Sequence, residues 1–410
     1  MQKSRTYHDP LHGAITLHGD DPVEALLIKV IDTPEFQRLR RIRQLDTASL
    51  TFHGAEGSRF THSLGVMHLT RRAFNHIVRK YPFLEKHRVV VLLGALLHDI
   101  GHSPFSHAGE EIFRSEHEKW TCRLITESNL AKLLDSYAHY PNLSQTLPQI
   151  YYKTYPIPLI YQLVSSQLDC DRLDYLQRDS YFTGANYGRL DLDRIIMAMT
   201  YDPVSQKLVA TQKGLVAIEH YLSVRYFMYL QIYNHPKNLA SRFVLEKIFT
   251  RARELIKEEK IFIDDTARAW LMQDNNQLSC QEYLAGDDNI FLYHIQRWRS
   301  SEDKILADLC RRFLDRAIFK ALDISNLDHD HQQVLLADWR SKLASYGLVP
   351  DYYCGIRTAL TKGYTVYKQG IEIQTTQGLQ DIADLSPMVK TLCQPIRKAW
   401  LIYLPTDRIG

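Results

Sequence analysis

Apolar positions recur at three- and four-residue intervals along most of this chain, the period of helices with one face turned to a core. The spacing predicts helices over 61–80, 87–100, 116–135, 158–178, 191–200, 213–230, 236–259 and 302–322. Thr33-Pro34-Glu35 adds a start signal, a capping hydroxyl followed by proline at the first helical position. The helix it opens is expected to run through Phe36, Leu39, Ile42 and Leu45. Short strands are expected at 14–17 and at 207–211, the latter after the turn-like Asp202-Pro203. Beyond residue 330 the texture changes, and 364–367, 371–374 and 400–404 read as strands. The fold expected is mainly α, with a helical body over 1–330 and a small mixed α/β C-terminal lobe over 331–410.

Composition narrows the classes of function. With 45% hydrophobic residues in a 410-residue chain, a disordered protein is excluded and a substantial core is available. The 50 basic and 47 acidic residues nearly cancel, which argues against general nucleic-acid binding but leaves room for a local basic pocket. The longest apolar run, 89–97, is too short to cross a bilayer, and the first ten residues hold no apolar signal core. A cytosolic, cytoplasmic protein with no membrane partner is therefore expected. The six cysteines are scattered without a CxxC pair, so they read as reduced thiols.

Half of the 18 histidines fall between His53 and His117, under a sixth of the chain. Clusters of imidazole and carboxylate are what metal and acid–base sites require. His98-Asp99 closes an apolar run that reads as a buried helix, where an unpaired carboxylate carries a large desolvation cost. A divalent cation shared by the two side chains removes that cost; a buried His–Asp hydrogen bond is the alternative. Gly101 and Pro104 end the helix and leave His102 and His107 on the following loop. Upstream, His62 opens an apolar helix. Downstream, Asp171, Asp174 and Tyr175 share one helical face, which could equally be a solvated surface laced with ion pairs.

The segments 9–13 (Asp-Pro-Leu-His-Gly), 32–40, 59–65 (Arg-Phe-Thr-His-Ser-Leu-Gly), 98–107 and 171–175 (Asp-Arg-Leu-Asp-Tyr) together resemble the HD-domain metallohydrolases. More narrowly, they resemble the SAM-and-HD-domain deoxynucleoside triphosphate triphosphohydrolases and their bacterial, dGTPase-like relatives. The likeness runs from about residue 5 to 240. It implies a helical HD-domain fold and a reaction in which a metal-bound water attacks the α-phosphorus of a deoxynucleotide, giving deoxynucleoside and inorganic triphosphate. The residues matching the family's metal ligands are His62, His98, Asp99 and Asp171, a mixed nitrogen and oxygen set compatible with Mn, Mg, Fe, Co or Zn.

Other positions carry over as further roles. The catalytic matches are His102, Glu110 and His117. Glu110 stands where the animal enzymes have an aspartate, and the Glu110–His117 pair reads as an acid dyad, because a carboxylate keeps a neighbouring imidazole protonated. Arg59, His107, Arg172 and Arg225 match groups that hold the triphosphate, with Arg172 in place of a lysine. Gln44 and Asp179 match binders of the sugar 3′-hydroxyl. Tyr175 and Tyr233 match tyrosines that leave no room for a 2′-hydroxyl, although aromatic core is the simpler reading of either ring. Asn234 replaces a glutamine, so the preferred base stays open. Arg5, Asp32, Gln37 and Arg40 match positions that hold an activating guanine nucleotide at a subunit contact of a homo-oligomer, a dimer or tetramer. The rival readings are an HD hydrolase of a ribonucleotide, cyclic nucleotide or alarmone, and a non-catalytic nucleotide- or nucleic-acid-binding regulator.

Overall fold

The computed structural model describes residues 3–366 and 370–409. Helices dominate, and one continuous apolar core runs through the body and into the C-terminal region. At its centre, the Arg59–Val78 helix packs against both the Arg88–Leu97 and Cys170–Thr183 helices. Residues 89–97 are buried all round, as their unbroken apolar run requires. These three helices bring together segments more than 100 residues apart in sequence. Among the described residues no helix is long and apolar enough to cross a membrane, and all six cysteines are free.

Three small sheets frame the helices. Strands β1 (Arg5–Asp9) and β2 (Gly13–Leu17) form an N-terminal antiparallel hairpin. Strands β3 (Met199–Tyr201) and β4 (Leu208–Thr211) pair antiparallel. The C-terminal region supplies β5 (Lys320–Asp323), β6 (Cys354–Thr361), β7 (Glu372–Thr375), β8 (Gly378–Asp381) and β9 (Ile396–Tyr403). β9 lies between β5 and β6, and β7 runs parallel to β4, so one sheet of order β3-β4-β7-β8 joins chain-distant parts.

Several expected elements are shorter than the hydrophobic period suggests. The helix begun at Thr33 ends at Gln37 and tightens into a 3₁₀ turn over Arg38–Arg41. Arg38 explains the change: its buried guanidinium is drawn to the carbonyls of Gly286 and His102, 2.8 Å from each. The expected helix over 116–135 is two, broken at Ser128, whose hydroxyl donates to Leu124 O and caps Leu130 N. The expected 158–178 helix is also two, Pro158–Gln162 and Cys170–Thr183, the second capped by Asp169. The last body helix stops at Leu314, and the chain resumes as β5. Of the strand expected at 364–367, residues 364–366 are irregular and Tyr367 lies outside the described residues.

Candidate active site

The residues that gather here sit at helix ends and on the loop after His98. His98 follows the last turn of the buried helix. The chain then turns through Gly101, where a Cβ would stand 2.2 Å from His117 O and from Thr121 N. Thr121 holds the turn by donating to His98 O (3.0 Å) and accepting from Gly101 N (3.1 Å). Tyr283 donates to Gly101 O at 2.6 Å while stacking on Trp120. Phe105 and Ser106 adopt φ of 60° and 52°, a strained conformation for side-chain-bearing residues, pinned by Asp288 on Phe105 N and by Arg43 O on the Ser106 hydroxyl.

His62, His98, Asp99 and Asp171 converge. His62 Nε2 is 3.3 Å from His98 Nε2 and 3.0 Å from Asp171 Oδ1, and His98 Nε2 is 3.3 Å from Asp99 Oδ1. The far nitrogens are committed as donors, His62 Nδ1 to Asp174 (2.8 Å) and His98 Nδ1 to the Ala95 carbonyl (2.8 Å). In the neutral rings this leaves a bare Nε2 lone pair on each, turned toward the other, an arrangement that calls for a cation between them. Charge agrees. Asp9, Asp99, Asp171 and Asp174 are linked by hydrogen bonds and ion pairs to just two guanidinium groups, Arg59 and Arg178, which leaves two negative charges uncompensated when the histidines are neutral. Burial pushes His62 down, but Asp171, Asp174 and Asp99 override it and lift the imidazole to about 10. The nest draws positive charge, and its donor set fits a divalent metal.

Around this nest lies a cavity of about 460 Å³. Arg59 crosses its floor, donating to Asp99 Oδ2 (2.6 Å) and to the Ser106 hydroxyl (2.7 Å). Burial alone would raise the Asp99 carboxyl, but the charges of Arg59 and His98 and the hydrogen bond from His102 Nε2 hold it well below the usual range. His102 is kept neutral by burial and by the charges of Arg59 and His117; it stacks on His117 with ring centroids 4.1 Å apart. Glu110 clamps two imidazoles, with Oε1 on His117 Nδ1 (2.5 Å) and Oε2 on His107 Nδ1 (2.8 Å). Burial favours its neutral form, yet His107 and His117 keep it ionised far below the ordinary glutamate range.

On another wall Tyr233 donates to Asp179 Oδ2 at 2.9 Å, and Tyr175 packs edge-on against Tyr233. Gln44 lines the same cavity with a buried side-chain oxygen that has no hydrogen-bond partner among the described residues. Arg172 reaches the wall from its bond to Ser166 O. Arg225 is not on the wall; it lies near Tyr229 and donates to Gln167. Arg5, Asp32, Gln37 and Arg40 gather elsewhere, on the surface. There Arg5 pairs with Asp32, Gln37 accepts from Arg40 (2.7 Å), and Arg40 lies over the Phe60 ring at 3.6 Å.

Several site groups carry no local sequence signal. Asp46, Tyr151, Tyr229 and Arg242 line the cavity, and Arg178 braces Asp174 behind it; the other brace, His12, comes from the 9–13 segment, where no role was expected of it. A second cavity, between the loop at Leu50 and β5, is walled by His235, Lys237, Arg316, Lys320 and Arg408 with no carboxylate, an environment suited to an anion.

Comparison with known proteins places this geometry. The HD domain model matches residues 59–179. Over its full length the chain is 34% identical to the uncharacterized protein YwfO of Bacillus subtilis, covering 94% of that protein. It therefore belongs to the HD-domain phosphohydrolase family. A phosphohydrolase from Bacteroides thetaiotaomicron shares the fold with a TM-score of 0.86 at 29% identity, covering 98% of this chain and all of that one. Within the family, 59% of the chain aligns at 30% identity with the deoxynucleoside triphosphate triphosphohydrolase SAMHD1 homolog of Dictyostelium discoideum, spanning 49% of it. Mouse SAMHD1 is 31% identical over 53% of the chain and 38% of its own length.

Proposed function

We propose that this protein is a metal-dependent triphosphohydrolase that converts a deoxynucleoside triphosphate to deoxynucleoside and inorganic triphosphate, working in the cytoplasm as a dimer or tetramer. The observation that carries the proposal is the joining, in one cavity, of a four-ligand cation nest to a hydroxyl-reading pair, Tyr233 and Asp179. The names of the SAMHD1 relatives support the substrate class. His62, His98, Asp99 and Asp171 would hold a divalent ion, which when bound would supply Lewis acidity toward a phosphoryl oxygen. Arg59, Arg172 and His107 hold phosphate oxygens, with Arg225 supporting that wall. His117, fixed by Glu110 and stacked on neutral His102, delivers a proton to the departing sugar oxygen. Gln44 and Asp179 take the 3′-hydroxyl, and the Tyr175 and Tyr233 rings close on C2′, so a ribose meets both overlap and an unpaired buried hydroxyl.

A guanine nucleotide at Arg5, Asp32, Gln37 and Arg40 activates the enzyme by favouring assembly. Asp32 accepts from guanine N1 and N2, and Arg40 donates to O6 and N7. The test is incubation with the four deoxynucleoside and four ribonucleoside triphosphates plus Mn²⁺, with products resolved by chromatography. Intact triphosphate from deoxynucleotides supports the reading. Monophosphate plus pyrophosphate, or a preference for ribonucleotides, overturns it. Elemental analysis of a His98→Ala, Asp99→Ala double variant should show the metal gone; equal metal in both proteins removes the ligand assignment.

A further inference from the structure

Asp174 lies beside the cation nest, and all its bonds run to groups that surround it. The carboxylate is fully buried and accepts four hydrogen bonds. His62 Nδ1 and Arg178 Nε bind Oδ2 at 2.8 and 2.6 Å, while His12 Nε2 and Arg178 Nη2 bind Oδ1 at 2.6 and 3.0 Å. His12 and Arg178 are themselves fastened by Asp9. One Asp9 oxygen accepts the backbone N–H groups of Leu11 and His12 at 2.9 Å, and the other accepts Arg178 Nη1 at 2.8 Å. Gly65 makes the room: a Cβ there would stand 2.0 Å from Asp174 Oδ1. The bend of the N-terminal hairpin thus closes the back of His62 from 162 residues away in sequence from Asp174.

We propose that His12 is a positioning residue of the metal centre, locking Asp174 so that His62 presents Nε2 to the ion. The proposal rests on the reading that the nest binds a divalent metal. With two arms on Oδ1 and two on Oδ2, the carboxylate has one orientation. Without His12, Oδ1 keeps only the longer Arg178 contact, and the carboxylate and the His62 ring can swing together. The side chain of His12 is buried and outside the cavity, and its hydrogen bond toward the nest is the one to Asp174. Groups that orient metal-bound histidines typically change metal affinity or activity by about 10–100-fold.

The experiment is titration of the full chain with Mn²⁺ alone in competition with a chelator. His12→Ala should weaken binding about 10-fold or more. His12→Gln, whose amide can donate to the same oxygen, should recover most of it, while metal-free melting curves stay together. Wild-type affinity in His12→Ala overturns the proposal. If the wild type itself binds no Mn²⁺, the metal reading falls as well, which separates the two failures. Should His12→Ala not fold, His12→Phe, which keeps the ring's volume and gives up the bond to Asp174, must still loosen Mn²⁺ several-fold; an unchanged affinity there is equally fatal.

A second observation stands on its own. Asp46 and Arg242 line the cavity beside Leu45, which packs on Tyr233, and near Asn234 and His107. Asp46 is buried and its carboxylate is saturated by Thr47 and by the Arg242 Nε and Nη2 (3.2 and 2.7 Å). Arg242 spends two of its five N–H groups on Asp46, and the other three have no partner among the described residues. We infer that Arg242, pinned by Asp46, reads the nucleobase of a bound deoxynucleotide. Its free donors match an edge carrying two acceptors, O6 and N7 of guanine, and meet the N6 amino donor on adenine.

This rests on the cavity taking a deoxynucleotide, and kcat/KM for dGTP and dATP tests it. The wild type should favour dGTP, and Arg242→Ala should cut the dGTP/dATP ratio about tenfold, mostly through KM. An unchanged ratio, a wild-type preference for dATP, or an equal loss on both nucleotides, which would mark a phosphate contact, overturns it. Failure to hydrolyse either nucleotide in the wild type is instead the failure of the proposed function.

Discussion

Asp179 is 3% exposed, and Tyr233 is the one hydrogen-bond donor to its carboxylate among the described residues. Burial drives its carboxyl up to about 7, and the Tyr233 hydroxyl with the charge of His62 recovers only part of the shift. An unfolded aspartate titrates near 3.9. Because the folded value is the higher one, the folded state holds the proton more tightly. The stability this contributes is whole below about pH 4, falls as pH rises through about 7, and is flat above. At about 1.4 kcal/mol per unit, the stability lost relative to acid is about 4 kcal/mol at pH 8, where the folded carboxyl is ionised, and about 1.5 kcal/mol at pH 5, where it still holds its proton. Asp179→Asn keeps an acceptor for Tyr233 and removes the charge. It should therefore stabilise the metal-free protein, and by about 2–3 kcal/mol more at pH 8 than at pH 5. Thermal melts of both proteins at the two pH values measure this, and the same variant should lose turnover, since it gives up the carboxylate proposed for the 3′-hydroxyl. A gain equal at both pH values, or a loss at pH 8, refutes the reasoning.

Glu110→Gln should lower kcat by about 10²–10⁴-fold with KM nearly unchanged, because the neutral amide no longer supports the proton on His117; a raised KM at constant kcat makes Glu110 a binding group instead. Tyr233→Ala should narrow the ratio of deoxy- to ribonucleotide turnover, and an unchanged ratio in a folded variant moves sugar discrimination elsewhere. GTP or dGTP should shift sedimentation toward a tetramer and raise turnover of another deoxynucleotide. Arg40→Ala should lose that response while still binding Mn²⁺. Assembly and rate indifferent to guanine nucleotides would leave Arg40 only its stacking on Phe60 and its bond to Gln37.

The cation nest was legible because its residues stand in short local segments whose chemistry is unusual for their setting. A carboxylate at the end of an all-apolar helix, as at Asp99, needs a partner wherever the chain goes. What holds the nest in place was not legible. Arg38, Thr121 and Tyr283 all grip the 98–102 turn through backbone carbonyls or amides, and backbone partners leave no residue-specific trace in sequence. The helix breaks at Ser128 and before Cys170 were hidden for a related reason. The apolar period continues across both, while the interruption comes from single side chains that cap the next helix. Asp174 was legible as sharing a face with Asp171 and as part of the 171–175 segment, with no role of its own. Its bonds to His12 and Arg178 depend on how the hairpin docks, which local periodicity does not encode.

The cost of the site falls in a few places, and that distribution bears on function. Arg178, Asp174, Arg59 and Asp99 are buried ionised groups, and replacing such sets by apolar residues of similar volume is often neutral or stabilising. Phe105 and Ser106 hold positive φ directly after the His98–His102 turn. Asp179 remains protonatable near neutrality, in the cavity where the buried Gln44 oxygen also lacks a partner among the described residues. A chain selected only for stability would carry none of these. Arg59, Asp99 and Asp179 line one cavity, Asp174 and Arg178 lie directly behind it, and Phe105 and Ser106 sit in the loop that carries His102 and His107. The Asp9–Arg178–Asp174–His62 chain fits this pattern best. Every hydrogen-bonding position on Asp174 is filled, so its buried charge adds rigidity, and the rigidity is aimed at the imidazole that faces His98, Asp99 and Asp171. Strain, buried charge and fixed orientation at one place are what a preorganised centre for handling a highly charged substrate requires.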